Sequence, residues 1–108
     1  MYGLLERDIQ YIKKALEHFE EIEKAVVFGS RAMGNYKKGS DVDIAIFGER
    51  INNRVIFELN DYLNEVYPLP YFFDILNYGS ISNENLKKHI NDEGKVMYIS
   101  SNKVTTSK

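Results

Sequence analysis

The sequence predicts an α+β fold, in which helices pack on one mixed β-sheet in the order α-β-turn-β-α-β-α-(β). Apolar residues recur every three or four positions in three segments, which indicates amphipathic helices. Short runs rich in β-branched and aromatic residues lie between these segments, which indicates strands. The 108 residues suffice for one domain. We expect that domain over residues 1–99, followed by a disordered polar tail at 100–108.

The first half of the chain is predicted to form a helix, a strand, a turn and a second strand. The helix covers about residues 4–23, and its apolar face consists of Leu5, Ile9, Ile12, Leu16 and Phe19. Ala25–Phe28 is short, apolar and β-prone, so we expect a buried strand. Residues 29–39 contain three glycines and predict a turn, with one helical turn at 30–33. The second strand is expected over residues 41–47.

The second half is predicted to contain two helices and one or two further strands. Helical spacing over residues 52–66, closed by two prolines, predicts a helix there. Residues 71–76 read as the third strand, and residues 95–99 as a short terminal strand. Between these strands we expect a helix with Ser82 as its N-cap and Gly94 just past its end.

Composition and charge exclude several classes of protein. The absence of cysteine excludes disulfides, thiolate zinc sites and a cysteine nucleophile. The net charge of −2 argues against a protein held to nucleic acid or anionic lipid by bulk charge. Apolar runs reach only four residues, against the roughly 20 that a membrane-crossing helix needs, and residues 6–8 are charged where a secretory signal would be apolar. We therefore expect a cytoplasmic protein with no membrane partner.

Three carboxylates lie where strands are normally apolar. Period two places Asp41 and Asp43 on one strand face with Ala45, about 6–7 Å apart at the backbone. The opposite face, directed to the core, carries Val42, Ile44 and Ile46. Asp74 stands inside the apolar third strand, where a charge is costly unless it is paired or metal-bound. A hard divalent cation would relieve this repulsion, although a chance Asp-x-Asp and a solvent-facing Asp74 on an edge strand are open alternatives.

Residues that suit a phosphate follow the first predicted strand. Gly29 permits close approach of a ligand to the backbone, and Ser30 offers a hydroxyl at the start of a helical turn. Arg31, Lys37 and Lys38 add positive charge to the same connection. For the two lysines, a solvated loop is the favoured interpretation.

The two histidines carry no prediction of chemistry. His18 falls late in the first predicted helix, and His89 falls in the last one. Neither has a carboxylate or a second histidine at ligand spacing on its own face. The sequence therefore predicts structural roles for both.

The motif Gly29-Ser30, ten residues, then Asp41-Val42-Asp43, with Asp74 in a later strand, resembles the DNA polymerase β-type nucleotidyltransferase superfamily. The stretch GSRAMGNYKKGSDVDIAIFG resembles its minimal nucleotidyltransferase (MNT) branch. The resemblance implies that Asp41 and Asp43 bind two Mg²⁺ ions. It implies that Asp74 completes the metal site and helps to deprotonate an acceptor hydroxyl.

The same resemblance implies a nucleotide site and a reaction. Ser30 and the Gly29 backbone would hold the β- and γ-phosphates of ATP, and Arg31 would support the phosphates or order the loop. The acceptor would attack the α-phosphate in line, and pyrophosphate would leave.

The acceptor is the least determined part of this prediction. The resemblance to small MNT chains implies an antitoxin that is paired with a HEPN-domain toxin and transfers AMP to a toxin tyrosine. This is the leading hypothesis. The chain has no evident acceptor-recognition domain, so we expect the acceptor to be a separate molecule. Two alternatives stay open, namely an antitoxin that masks its partner by binding alone and transfer to an RNA or a small molecule. The net charge weighs against direct nucleic-acid binding.

Overall fold

The computed structural model describes residues 1–100. Its helices are α1 Glu6–Glu17, α2 Ser30–Met33, α3 Asn53–Asp61 and α4 Glu84–Glu93. Its strands are β1 Lys24–Phe28, β2 Val42–Phe47, β3 Phe73–Asn77 and β4 Lys95–Ile99. A π-helical turn, Tyr62–Val66, continues α3, and a 3₁₀ turn, Tyr78–Ser80, follows β3. The predicted α+β fold and its terminal strand are confirmed.

The sheet is mixed and has the strand order β3-β2-β1-β4. Strands β2 and β3 are parallel, while β1 is antiparallel to both β2 and β4. The beginnings of β2 and β3 therefore lie at the same end of the sheet as the end of β1. At that end Phe28 pairs with Asp43, and Asp43 pairs with Asp74.

The two faces of the sheet are covered unequally. Helices α1 and α3 cover one face, and residues from both helices join the strands in the larger hydrophobic core. The strand residues facing that core include Val42, Ile44 and Ile46, as the alternation predicts. Helix α4 covers the other face, where the buried cluster consists of Val26, Phe28, Ala45 and Ile90. The face that carries Asp43 is therefore the thinner one.

Helix lengths differ from the sequence prediction in two places. Helix α1 ends at Glu17 rather than near residue 23, because the chain must turn back to enter β1 at Lys24. The helix expected over 52–66 is regular only in α3, and its last turn widens where the amide of Tyr67 donates to the carbonyl of Tyr62.

The predicted cap of the last helix is wrong by one residue. Asn83, not Ser82, is the N-cap, and its side-chain oxygen accepts a hydrogen bond from the amide of Leu86 at 3.1 Å. Gly94 follows the helix as expected, but its backbone is extended (φ −67°, ψ 151°) instead of left-handed. A β-carbon at that position would meet the carbonyl oxygen of Ile90 and the side chain of Val26, so close packing is the reason for glycine.

The predicted tail, residues 100–108, overlaps the described residues only at Ser100. Ser100, which the sequence assigns to the tail, is buried, and its amide donates to the carbonyl of Glu23 at 2.9 Å. The rest of the predicted tail, 101–108, lies outside the described residues. Within residues 1–100, no helix combines the length and the apolar character needed to cross a bilayer.

Candidate active site

Two of the three predicted carboxylates are neighbours in the sheet. Asp43 is the second residue of β2 and Asp74 the second residue of β3, and the parallel register places them side by side. Asp43 is half-buried, whereas Asp74 is exposed on an edge strand. The sequence predicts Asp41 inside the second strand, but this residue is exposed immediately before β2 begins at Val42.

The charges of these carboxylates act on one another. Burial raises the pKa of Asp43 above its usual 3.8, and the negative charges of Asp74 and then Asp41 raise it further. The end of the sheet is therefore a place where an added positive charge would be stabilised.

The donor set fits a hard divalent cation in its chemistry. Asp41, Asp43 and Asp74 offer only carboxylate oxygens, which are the ligands that Mg²⁺ prefers, and after burial the charges of Asp74 and Asp41 contribute to the raised pKa of Asp43. The three are not gathered as a ready-made ligand cluster, since no group of three acidic or histidine side chains among residues 1–100 is arranged to hold a metal ion. Side-chain rotation would have to accompany binding.

The turn after β1 packs directly against Asp43. Gly29 has a positive φ of 75°, and a β-carbon there would meet the carboxylate oxygen Oδ2 of Asp43. Any other residue would thus suffer backbone strain and would displace the carboxylate of Asp43. Ser30 follows as the first residue of α2, so the predicted Gly29-Ser30 pair lies beside the predicted carboxylates.

Arg31 is buried and orders the loop that leads to the carboxylates. Its guanidinium donates twice to the carbonyl oxygen of Ser40, at 3.1 and 2.9 Å, and once to that of Tyr2, at 2.9 Å. The rings of Tyr36 and Tyr71 lie 5.1 and 5.2 Å from the guanidinium carbon. Because Ser40 directly precedes Asp41 in the chain, these contacts fix the approach to β2.

The loop between α2 and β2 is otherwise open to solvent. Lys37 and Lys38 are both exposed, and the amide of Lys37 donates to the hydroxyl of Ser40 at 2.8 Å. These contacts agree with the solvated-loop interpretation of the two lysines.

The sequence predicts a structural role for His89, and the structure places this side chain against the turn. Its Nε2 accepts a hydrogen bond from the amide of Gly29 at 3.0 Å, and its ring contacts Phe28 edge-on at 6.0 Å between centroids. The available signal was helical spacing, since His89 shares a face of α4 with Leu86 and Ile90, which pack on the sheet.

Asn64 is a residue that the sequence analysis did not assign. It belongs to the π-helical turn, and its carboxamide makes two hydrogen bonds with the backbone of Phe73. The side-chain oxygen accepts from the amide of Phe73 at 2.9 Å, and the side-chain nitrogen donates to its carbonyl at 3.3 Å. Phe73 directly precedes Asp74, so Asn64 fixes the backbone from which that carboxylate projects.

A cavity of about 840 Å³ lies elsewhere, between the ends of α1, α3 and β4. Its polar lining includes four glutamates: Glu17, Glu20, Glu21 and Glu58. None of the predicted site residues lines it, and its wall extends to Ser100, the last described residue. Cavity volume therefore does not mark the site, and we assign the site from the carboxylates and the adjacent turn.

Comparison with known proteins agrees with this geometry. The family model described as polymerase beta, nucleotidyltransferase matches residues 10–103. Two proteins of Methanocaldococcus jannaschii, MJ0128 and MJ1217, which are named as protein adenylyltransferases, are each 32% identical over 82 residues. That alignment covers 75% of this chain and 82% of each relative.

Solved structures share the fold. A toxin–antitoxin structure with AMP-PNP superimposes with a TM-score of 0.69 at 21% identity, covering 95% of this chain and 80% of the other. A complex of a tri-AMPylated HEPN toxin with its MNT antitoxin, from Shewanella oneidensis, gives a TM-score of 0.67 at 19% identity. It covers 98% of this chain and 79% of the other. The chain belongs to the polymerase β nucleotidyltransferase family.

Proposed function

We propose that this nucleotidyltransferase moves AMP from ATP to a hydroxyl of a partner protein, and that the acceptor is a tyrosine of a HEPN-domain toxin. The names of the relatives at 32% identity support a protein acceptor. The likeness to an MNT antitoxin bound to an AMPylated HEPN toxin supports the partner class. Under this proposal the chain acts as an antitoxin, and it works in the cytoplasm, where ATP is available.

One observation carries the proposal. The pairing of Phe28 with Asp43 and of Asp43 with Asp74 brings the end of β1 beside two strand carboxylates. A triphosphate at the Gly29-Ser30 turn would then lie next to the acidic groups that suit a magnesium-bound phosphate. This juxtaposition is what nucleotidyl transfer requires.

The three carboxylates divide into two roles in this proposal. Asp41, Asp43 and Asp74 would hold Mg²⁺, two ions by the family resemblance, and the bound metal would neutralise phosphate charge and polarise the α-phosphate. Asp74 would accept the proton of the acceptor hydroxyl. The acceptor oxygen bonds to the α-phosphorus while the bond from that phosphorus to the leaving oxygen breaks, and pyrophosphate departs.

The turn residues would bind the nucleotide and keep the site in shape. Ser30 would donate its hydroxyl to the phosphates. For Arg31, which the resemblance assigns to phosphate support or to loop ordering, the bonds to Ser40 and Tyr2 favour loop ordering. Its charge is already engaged by two carbonyl oxygens and two aromatic rings.

The test combines the chain, ATP, Mg²⁺ and a HEPN-domain protein, taken from the neighbouring reading frame if one is encoded there. Intact mass spectrometry should show the partner gaining one or more AMP units with the wild-type chain. Asp43→Asn should abolish the gain, whereas Asp61→Asn, which removes an exposed carboxylate of α3, should not. A partner that stays unmodified in the presence of the wild-type chain would refute the proposal.

Two further experiments separate the alternatives. If an Asp41→Asn/Asp43→Asn double variant still neutralises the toxin in cells, binding alone is sufficient for the antitoxin. If radiolabelled ATP labels RNA but not protein, the acceptor is a nucleic acid. The net charge of −2 weighs against this second outcome.

A further inference from the structure

The Gly29-Ser30 turn is tied to a distant helix by a single side chain. The amide of Gly29 donates to Nε2 of His89 at 3.0 Å, although the two residues are 60 positions apart in the sequence. His89 is half-buried, and its ring also rests edge-on against Phe28, the residue before the turn. The imidazole therefore contacts the turn and the strand that leads into it.

This hydrogen bond limits the orientations in which the turn can contact a phosphate. Since Nε2 accepts, it is the unprotonated nitrogen of the ring. The amide of Gly29 points towards α4 and is engaged by His89, although the family resemblance assigns the Gly29 backbone to the β- and γ-phosphates. Ser30 is then the residue of the pair that offers a donor, its hydroxyl, from a turn whose orientation His89 holds.

Helix α4 does not need His89 for its attachment to the sheet. Ile90 is buried in one cluster with Val26 and Ala45, and Leu86 packs against the same cluster. These apolar contacts supply the burial that holds a helix on a sheet. The polar bond from His89 instead ends at the Gly29 amide, beside Asp43.

We propose that His89 is a positioning residue of the nucleotide site, which acts through Gly29 to hold Ser30 in the orientation that receives the phosphates of ATP. The inference rests on the nucleotide site of the proposed function and not on the identity of the acceptor. Losing one hydrogen bond of this kind predicts ATP binding that is weaker by about five- to tenfold, without a comparable loss in the rate of the bound complex.

The test compares His89→Leu, which keeps bulk but removes the acceptor, with His89→Gln, whose side-chain oxygen can replace Nε2. Binding of ATP in the presence of Mg²⁺ is measured by calorimetry, and kcat and KM for ATP are measured by pyrophosphate release. We expect His89→Leu to raise Kd and KM by about five- to tenfold while kcat changes by less than about threefold. His89→Gln should restore Kd to within about threefold of the wild-type value.

His18→Leu is the matched control, because His18 stacks on Tyr62 at 4.8 Å and lines the cavity between the ends of α1, α3 and β4, away from the turn. It should leave Kd for ATP unchanged. Wild-type ATP binding in His89→Leu would overturn the inference while leaving the proposed function intact. A His89→Gln variant whose Kd for ATP is not restored, or a His89→Leu variant that loses only kcat, would overturn it as well. A wild-type chain that binds no ATP would refute the nucleotide site itself, and with it this inference.

Discussion

The two faces of the sheet differ in thickness and in content. The face covered by α1 and α3 carries the larger core, in which Ile44, Leu59 and Leu63 are completely buried. The face covered by α4 buries four residues and carries Asp43 among its side chains. One helix on this side leaves the end of the sheet open, so charged groups there stay in contact with water. Stability and chemistry are thus supported by opposite faces of the same strands.

The largest expected effect is on activity and comes from the face covered by α4. Asp43→Asn removes a charge between Asp41 and Asp74, and we expect nucleotidyl transfer to fall by about 100-fold or more, because the proposed function assigns this carboxylate to the metal. Thermal unfolding of the metal-free protein should show no loss of stability, since repulsion is relieved at the same time. A variant that is inactive only because it unfolds would contradict the separation of the two faces.

The next effect is on stability and comes from the face covered by α1 and α3. Leu59→Ala leaves a cavity in the larger core, and we expect the free energy of unfolding to fall by about 2–5 kcal/mol. Transfer activity per folded molecule should be unchanged at a temperature where the variant is folded. Urea denaturation and an activity assay on the same sample measure both quantities.

Ile90→Ala is the counterpart on the face covered by α4. Its loss of stability should lie at the lower end of about 2–5 kcal/mol, because the cluster under α4 is small and close to solvent. Unlike Leu59→Ala, it should also weaken ATP binding, since α4 carries His89 to the turn. Equal ATP affinity in the two variants would mean that α4 does not support the nucleotide site.

A smaller effect is expected at the start of α4. Asn83→Ala removes the side-chain acceptor for the amide of Leu86, which should cost about 1 kcal/mol of stability. Asn83→Asp, which keeps an acceptor at that position, should retain most of the stability. Denaturant midpoints of the three proteins at one pH provide the comparison.

The smallest effect is a pH dependence. In the metal-free folded chain the pKa of Asp43 lies above its usual value of 3.8, so the folded state holds this proton more tightly than the unfolded chain does. The resulting stabilisation is present at low pH and is lost as the pH rises through the folded-state pKa. The stability of Asp43→Asn relative to wild type should therefore increase as the pH rises from about 4, then level off. A constant difference across this range would contradict the assigned direction.

Sequence patterns predict the elements of this fold because burial repeats with the period of each element. Val42, Ile44 and Ile46 alternate along β2, and all three face the larger core. Two details at the ends of α4 differ from the prediction. The cap is Asn83 and not Ser82, which is a local shift of one residue. Gly94 is required by the nearness of Val26, a residue of a distant strand, rather than by a left-handed backbone.

The site shows the same division. The spacing of Asp41 and Asp43 and the Gly29-Ser30 pair are local features, so they can be recognised along the chain. His89 and Asn64 are not recognisable in this way, because each acts on a backbone group in another element. A polar residue on the inner face of a helix acquires a role only when the topology sets a partner opposite it.

The carboxamide of Asn64 has a consequence for the outer edge of the sheet. Strand β3 is terminal in the sheet, and its outward backbone groups at Phe73 would be free to pair with a strand from another molecule. By donating to and accepting from that one residue, Asn64 takes the place of a neighbouring peptide group. A strand from another molecule could therefore pair with β3 at Phe73, next to Asp74, only by displacing both of these hydrogen bonds.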